Sequence, residues 1–236
     1  MPVRTVRIVG DPIRSTKGHQ GRLAINVEVT DNIVLPTSPS DQQYLSTDTW
    51  FEEPLYSSED GAPDNYQHRI EVIDYATGRL AVFAPWDNIK IGRTVEFLFE
   101  GQQAIWGFRE WLHRRAGQLI PFYMPTFENN FKLLSTGLIG STFEATDYSY
   151  DIELSGRNHI VFKLADGTWE PRAITASEVT GDHLLITMSS ALNEQASDIV
   201  DIGFFGLKRL GSDIVELNWL PNNVLSVTMT ILEIEP

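Results

Sequence analysis

The sequence contains no cysteine, which removes disulfides, thiolate nucleophiles and cysteine-ligated zinc from consideration. Its histidines, His19, His68, His113, His159 and His183, stand isolated, with no pair at i and i+4 that could share one metal. The acidic stretch Asp60-Gly-Ala-Pro-Asp64-Asn departs from calcium-loop spacing, and Pro63 would restrict its turn. No metal and no cofactor are expected.

Basic residues are also scarce: 18 Lys and Arg face 32 Asp and Glu, for a net charge of -14. That balance opposes nucleic acid and anionic membrane surfaces, so neither a sequence-specific nucleic-acid partner nor a membrane is expected. The excess is mostly C-terminal, with 12 basic and 16 acidic residues through Phe127 and 6 and 16 after it. No run approaches the roughly 20 apolar residues of a membrane-spanning helix. The opening MPVRTVRIVGDPIRSTKG has neither an apolar h-region nor a small-residue cleavage site, so no cleaved leader is expected.

Catalytic signatures are missing too: no GxSxG elbow, Walker A loop, GxGxxG after a strand or HExxH occurs. Glu52 and Glu53, beside Trp50 and Phe51, make the best carboxylate pair for glycan hydrolysis. Adjacent strand residues point to opposite faces, however, which weakens them as a pair. The reading is of a protein that is not an enzyme, with no catalytic residues.

What is present is period-two alternation. Leu23, Ile25, Val27 and Val29 alternate with polar or small residues. The pattern recurs at Val95/Phe97/Phe99, Ile160/Phe162/Leu164, Leu184/Ile186/Met188, Val215/Leu217/Trp219 and Leu225/Val227/Met229/Ile231. Turn chemistry separates these runs at 76–79, 165–168, 180–182 and 221–223. One segment has helical spacing: QQAIWGFREWLHRRA, 102–116, places Ala104, Ile105, Phe108, Trp111 and Leu112 on one face, with Gly117 as C-cap. His113, Arg114 and Arg115 fall in its last turn, where positive charge complements the helix dipole.

The fold class read from these patterns is mainly β: two antiparallel β-barrel or sandwich units, one main helix at 102–116, and a long irregular arm. The expected domains are 1–134, holding the arm at 31–67 and the helix, and 135–236. The arm carries four prolines and no sustained period, yet it holds Tyr44, Trp50, Phe51, Tyr56 and Tyr66, too many aromatics for an idle linker. It is expected either to pack along a neighbouring domain or subunit or to form an irregular loop of its own domain. After the helix, RRAGQLIPFYMPTFENNF strings Phe122, Tyr123, Phe127 and Phe131 between prolines. It reads as a stiff extended connector whose aromatics pack at the junction of the two β units. The candidate interface residues are Tyr44, Trp50, Phe51, Tyr56, Phe122, Tyr123 and Phe127.

Two phrases carry a resemblance. The stretch from Phe108 to Leu133, FREWLHRRAGQLIPFYMPTFENNFKL, is similar to "aFr.wL..R.G.l.pFw.Pt...Dl.L". The stretch from Arg209 to Glu233, RLGSDIVELNWLPNNVLSVTMTILE, is similar to "RL.SD.vel.w.t..va.v...f.Ev". In that order, and with IEVIDYATGRLAVFA and GRNHIVFKLADGTWEPRAITA between and before them, they resemble a family of tail proteins of double-stranded DNA bacteriophages. The likeness runs from about residue 70 to the C-terminus. It implies a virion structural protein of the tail tip or baseplate, made in the host cytoplasm, in the neighbourhood of the distal tail protein and hub. It also implies a homo-oligomeric ring, hexameric or alternatively trimeric, between the tail tube and the host-attachment apparatus. No catalytic residue comes with it. The alternative is a carbohydrate- or receptor-binding β module using Trp50, Phe51, Trp86 or Trp169 as a stacking platform.

Overall fold

The computed structural model describes the backbone of residues 6–8, 13–17, 20–24, 27–29, 42–55, 64–67, 71–74, 80–83, 90–152 and 157–234, and side chains in 42–55, 91–152 and 157–234. The chain separates into two compact units, Met1–Pro36 and Thr37–Pro236. Within the first, strands β1 (Val6–Ile8) and β4 (Val27–Val29) pair antiparallel, as do β2 (Ile13–Lys17) and β3 (Gln20–Ala24). The alternating run at 23–29 is therefore divided between two strands with different partners.

The second unit begins with two short hairpins and a single strand: β5 (Gln43–Tyr44) with β6 (Thr47–Asp48), then β7 (Asp64–Gln67), then β8 (Glu71–Asp74) with β9 (Leu80–Phe83). The long β10 (Lys90–Glu100) leads into helix α1 (Gly101–Arg115), followed by β11 (Phe122–Pro125). Next come β12 (Leu138–Ile139), β13 (Thr142–Thr146), β14 (His159–Leu164), β15 (Trp169–Thr180), β16 (His183–Met188) and β17 (Glu194–Gln195). The unit ends with β18 (Ile199–Leu210), β19 (Glu216–Leu220) and β20 (Val224–Glu233). A ten-stranded antiparallel sheet runs β13-β16-β15-β14-β18-β20-β10-β7, with β11 also on β18 and β19 also on β20. The architecture is mainly β and sandwich-like, as the alternation implies, and among the described residues the sheet does not close into a barrel.

Two cores lie along this sheet. The first joins Val95, Phe97 and Phe99 of β10, Ile105, Phe108 and Trp111 of α1, Phe122 and Met124 of β11, and Leu225, Val227, Met229 and Ile231 of β20. The second gathers Phe131, Phe143, Phe162, Leu184, Ile186 and Ile202 with their neighbours. The chain thus enters the second core close to the boundary expected at 135, but β18 and β20 return to the first. β18 belongs to both: Ile202 and Phe204 pair with β14, whereas Phe205 to Lys208 pair with β11. The expected hairpin around Pro221 forms with Leu217 opposite Val227 and Trp219 opposite Leu225.

The helix starts and stops for local reasons. Ile105, Phe108, Trp111 and Arg115 form its buried stripe, the i, i+3, i+4 spacing of an amphipathic helix. Its end comes one residue before the expected cap, because Ala116 already adopts a left-handed conformation (φ 48°). Gly117 follows at φ 67°, and a Cβ there would run into the Asp213 carboxylate and lie 3.3 Å from Asp213 Cα. Gln118 completes the contact, its backbone N–H donating to Asp213 Oδ1 (2.9 Å) and its side chain to the Gly211 carbonyl (3.1 Å). The first phrase of the resemblance is thus fastened to the second at the helix end.

Candidate functional site

Strand β11 is the hinge of the architecture, and all four of its residues are buried. A central strand shows alternate side chains to opposite faces, so Phe122 and Met124 enter the first core while Tyr123 faces a third cluster with Val161 and Phe205. Farther on, Phe131 enters the second core. The proline-punctuated aromatics are therefore distributed, one face at a time, among the hydrophobic clusters they connect.

The described part of the arm belongs to the same cores. The Trp50 backbone N–H donates to the Tyr123 carbonyl (2.8 Å) and that of Leu55 to Glu96 (2.7 Å). The Trp50 ring lies 4.1 Å from Trp111, centroid to centroid. Tyr44 packs edge-on to Tyr123 at 5.1 Å and shares a 3.0 Å hydrogen bond with Nδ1 of His159. Burial first, then the neighbouring Tyr123, pushes the Tyr44 hydroxyl up to about 12, while burial lowers His159. Residues 42–55 of the arm are thus a strap on their own unit. Among the candidate interface residues, Trp50, Phe122 and Tyr123 are enclosed and Tyr44, Phe51 and Phe127 partly so. Enclosed rings cannot anchor a second subunit. Tyr56, and Trp86 of the alternative reading, lie outside the described residues.

One polar cleft opens where arm, connector and sheet meet. Trp169 of β15, Lys163 of β14 and Asp201 of β18 lie directly opposite one another across three strands, so their side chains share one face of the sheet. Phe51 stacks beneath the Trp169 ring (5.7 Å, 8° between planes), and Phe127 meets it edge-on (5.8 Å, 88°). Lys163 Nζ lies 5.4 Å from the Trp169 centroid and forms an ion pair with Glu53. The cleft, of about 210 Å³, is completed by Pro54, Pro125, Glu128 and Gly203. Glu52 and Glu53 are both exposed; with Glu53 engaged by Lys163, they do not form an acid pair across a groove.

Phe127 holds its place at a conformational cost. Its φ is 56°, a region that bulky residues rarely occupy and that costs on the order of 1–3 kcal/mol. The surrounding loop fixes it: Thr126 N–H donates to the Phe204 carbonyl (3.0 Å), and Asn130 Oδ1 accepts from Thr126 Oγ1 (2.8 Å) and from Phe204 N–H (3.0 Å). Gly203 admits the loop, since a Cβ there would stand 2.8 Å from the Glu128 carbonyl oxygen.

On the other side of the same loop a smaller cavity, about 90 Å³, contains an ionic cluster. Glu233 receives Arg157 through both oxygens (3.0 Å each) and Lys208 at 3.2 Å. Burial would push the Glu233 carboxyl up, but Lys208 and Arg157 overrule it and the net shift is downward; burial pulls the Lys208 ammonium down against the pull of Glu233. Among the described residues, no group of three His, Asp or Glu side chains is placed to hold a metal ion.

Sequence reasoning missed both the cleft and the ionic cluster. The turn at 165–168 was legible, and its register implies Lys163 opposite Trp169, which was signal enough for half of the cleft. The contributions of Asp201 and Glu233 depend on pairing with β18, which no local pattern encodes. Comparison with protein-family models finds no match, and comparison with curated proteins finds none either.

Proposed function

We propose that this chain is a non-enzymatic structural protein of a bacteriophage tail tip or baseplate, a homo-oligomeric ring component between the tail tube and the host-recognition apparatus. The observation that supports the reading is the meeting of the two resembling phrases. They lie far apart in sequence, yet Trp111, Phe122 and Met124 of one pack with Leu225, Val227 and Met229 of the other, and Gly117 and Gln118 are fitted to Gly211 and Asp213. A pair of phrases that form one core is a unit that can recur as a family signature.

Subunit contacts of such a ring would fall on apolar residues that the subunit leaves exposed. Trp219 (58% exposed) and Leu220 (47%) lie on β19, which among the described residues pairs only with β20, and Ile214 (83%) lies just before it. An outer strand with exposed apolar side chains is a ready template for a second copy. Heterologous contacts of this kind close into a ring when the rotation permits, six-fold on this reading and three-fold as the alternative.

The experiment is sedimentation of the purified chain with negative-stain imaging of the same sample. Six-fold or three-fold rings are the expected result, and monomers at every concentration, with and without the tube and hub proteins, would overturn it. The alternative, a stand-alone carbohydrate- or receptor-binding module, loses Trp50 as a platform because that ring is enclosed.

A further inference from the structure

We propose that the cleft between Trp169 and Phe127 binds a single neutral sugar ring, an activity separate from ring assembly. Three features of the cleft point to that class of ligand.

The first is shape. Phe127 stands at right angles to Trp169 (88°), so the two rings form a corner, and Phe51 supports the indole from behind. A sugar presents an apolar C–H face to such a wall and keeps its hydroxyls at its rim. The volume of about 210 Å³ lies below the roughly 300–1,000 Å³ of sites for drug-sized ligands. It has room for one ring and not for a chain of them.

The second is charge. Glu53 is engaged by Lys163, and Glu128 by Arg93 at 2.5 Å. An anionic ligand would have to take Lys163 from Glu53. Hydroxyl groups need break neither pair, because an ion-paired carboxylate keeps acceptor lone pairs and a lysine ammonium carries three donors. Asp201, opposite Lys163, adds a further acceptor at the rim.

The third is the conformation of Phe127. The loop around its left-handed backbone is held by hydrogen bonds among Thr126, Asn130 and Phe204, although glycine would satisfy the same turn without strain. Strain of this kind collects where a side chain must be presented in one place. Here the strained residue supplies one wall of the corner.

The test is titration of the purified protein with D-glucose, D-galactose and N-acetyl-D-glucosamine, and separately with choline, following the indole N–H resonances. The Trp169 resonance is assigned through W169F. The expected result is a saturable shift of Trp169 with at least one of the sugars, with Kd on the order of 1 mM to 10 mM. Followed by calorimetry with the same sugar, which needs no indole reporter, W169A should abolish binding, F127G should weaken it about tenfold, and W219A should leave it unchanged. A purely structural corner would give no saturation with any of the sugars, and that outcome overturns the proposal. So does saturation by choline alone, or saturation that survives W169A.

Discussion

The guanidinium of Arg115, 1% exposed at the end of α1, is ion-paired with Asp48 of β6. It also donates to the Pro121 carbonyl at 2.7 Å and lies over Trp111 and Phe122. The helix terminus, the connector and the arm are thereby fastened at one point. Substituting Asp48 by Ala leaves a buried cation without its partner, and the expected loss is about 3–5 kcal/mol. Replacing both by apolar residues, as in D48L/R115M, should cost less, because the desolvation penalty of Arg115 disappears with its charge; the residual cost includes the contact of Arg114 with Asp48 (3.3 Å). Urea denaturation of the single and double variants measures the difference.

Gly117 should not tolerate a side chain. G117A must adopt φ 67°, at about 1–2 kcal/mol for an L-residue, and must also displace Asp213. In G117A/D213A the steric part is relieved and the conformational part remains. The double variant should therefore recover some of the stability lost by G117A, as measured by thermal denaturation.

Exposed and enclosed aromatics should separate cleanly. F122A removes a wholly buried ring and is expected to cost about 3–5 kcal/mol. W219E should change stability within about 0.5 kcal/mol, as surface substitutions do, while dispersing any ring to monomers. Sedimentation and denaturation on the same two proteins check both expectations.

The Tyr44–His159 pair gives stability a pH window on each side. Tyr44 titrates near 12 when folded against an ordinary value of 10.0. Its contribution is complete below 10.0 and lost as pH rises through the folded value. His159 is depressed below its ordinary 6.5 by burial, so its contribution is present above 6.5 and lost as pH falls. Y44F should flatten the alkaline limb of the stability curve and H159Q the acid limb, read from denaturation midpoints across pH.

Glu233 holds two cations, so E233Q takes the carboxylate from the buried Lys208; about 3–5 kcal/mol is the expected cost. Since its folded value lies below the ordinary 4.5, its contribution is complete above 4.5 and lost as pH falls through the folded value. The acid limb of E233Q should be correspondingly shallower in the same measurement.

The sequence made the strands legible because one-sided burial leaves a period-two trace, as at Val95, Phe97 and Phe99, and the hairpin at Pro221 legible because turn and alternation agree. The helix was legible to within a residue. Its basic last turn suggested only a complement to the dipole, yet Arg115 is a buried clasp, because its partner Asp48 lies 67 residues earlier and no local pattern joins them. The arm was legible as aromatic, and packing within its own unit falls among the expectations; its partners were not legible, since Trp50 meets the Tyr123 carbonyl only once β11 is in place. Phe127 was read as a junction aromatic; nothing local announces that its backbone is left-handed.

The order of synthesis gives the pairing of β10 with β20 a further meaning. Glu96 and Ser226, hydrogen bonded across that pair, are separated by 130 residues, so the first core cannot close until β20 has left the ribosome. The strands around the second core pair mostly with near neighbours and can form earlier, since short loops close at lower entropic cost. A chain that stops at residue 220 would thus lose the strand that joins β18 to β10 at the middle of the sheet.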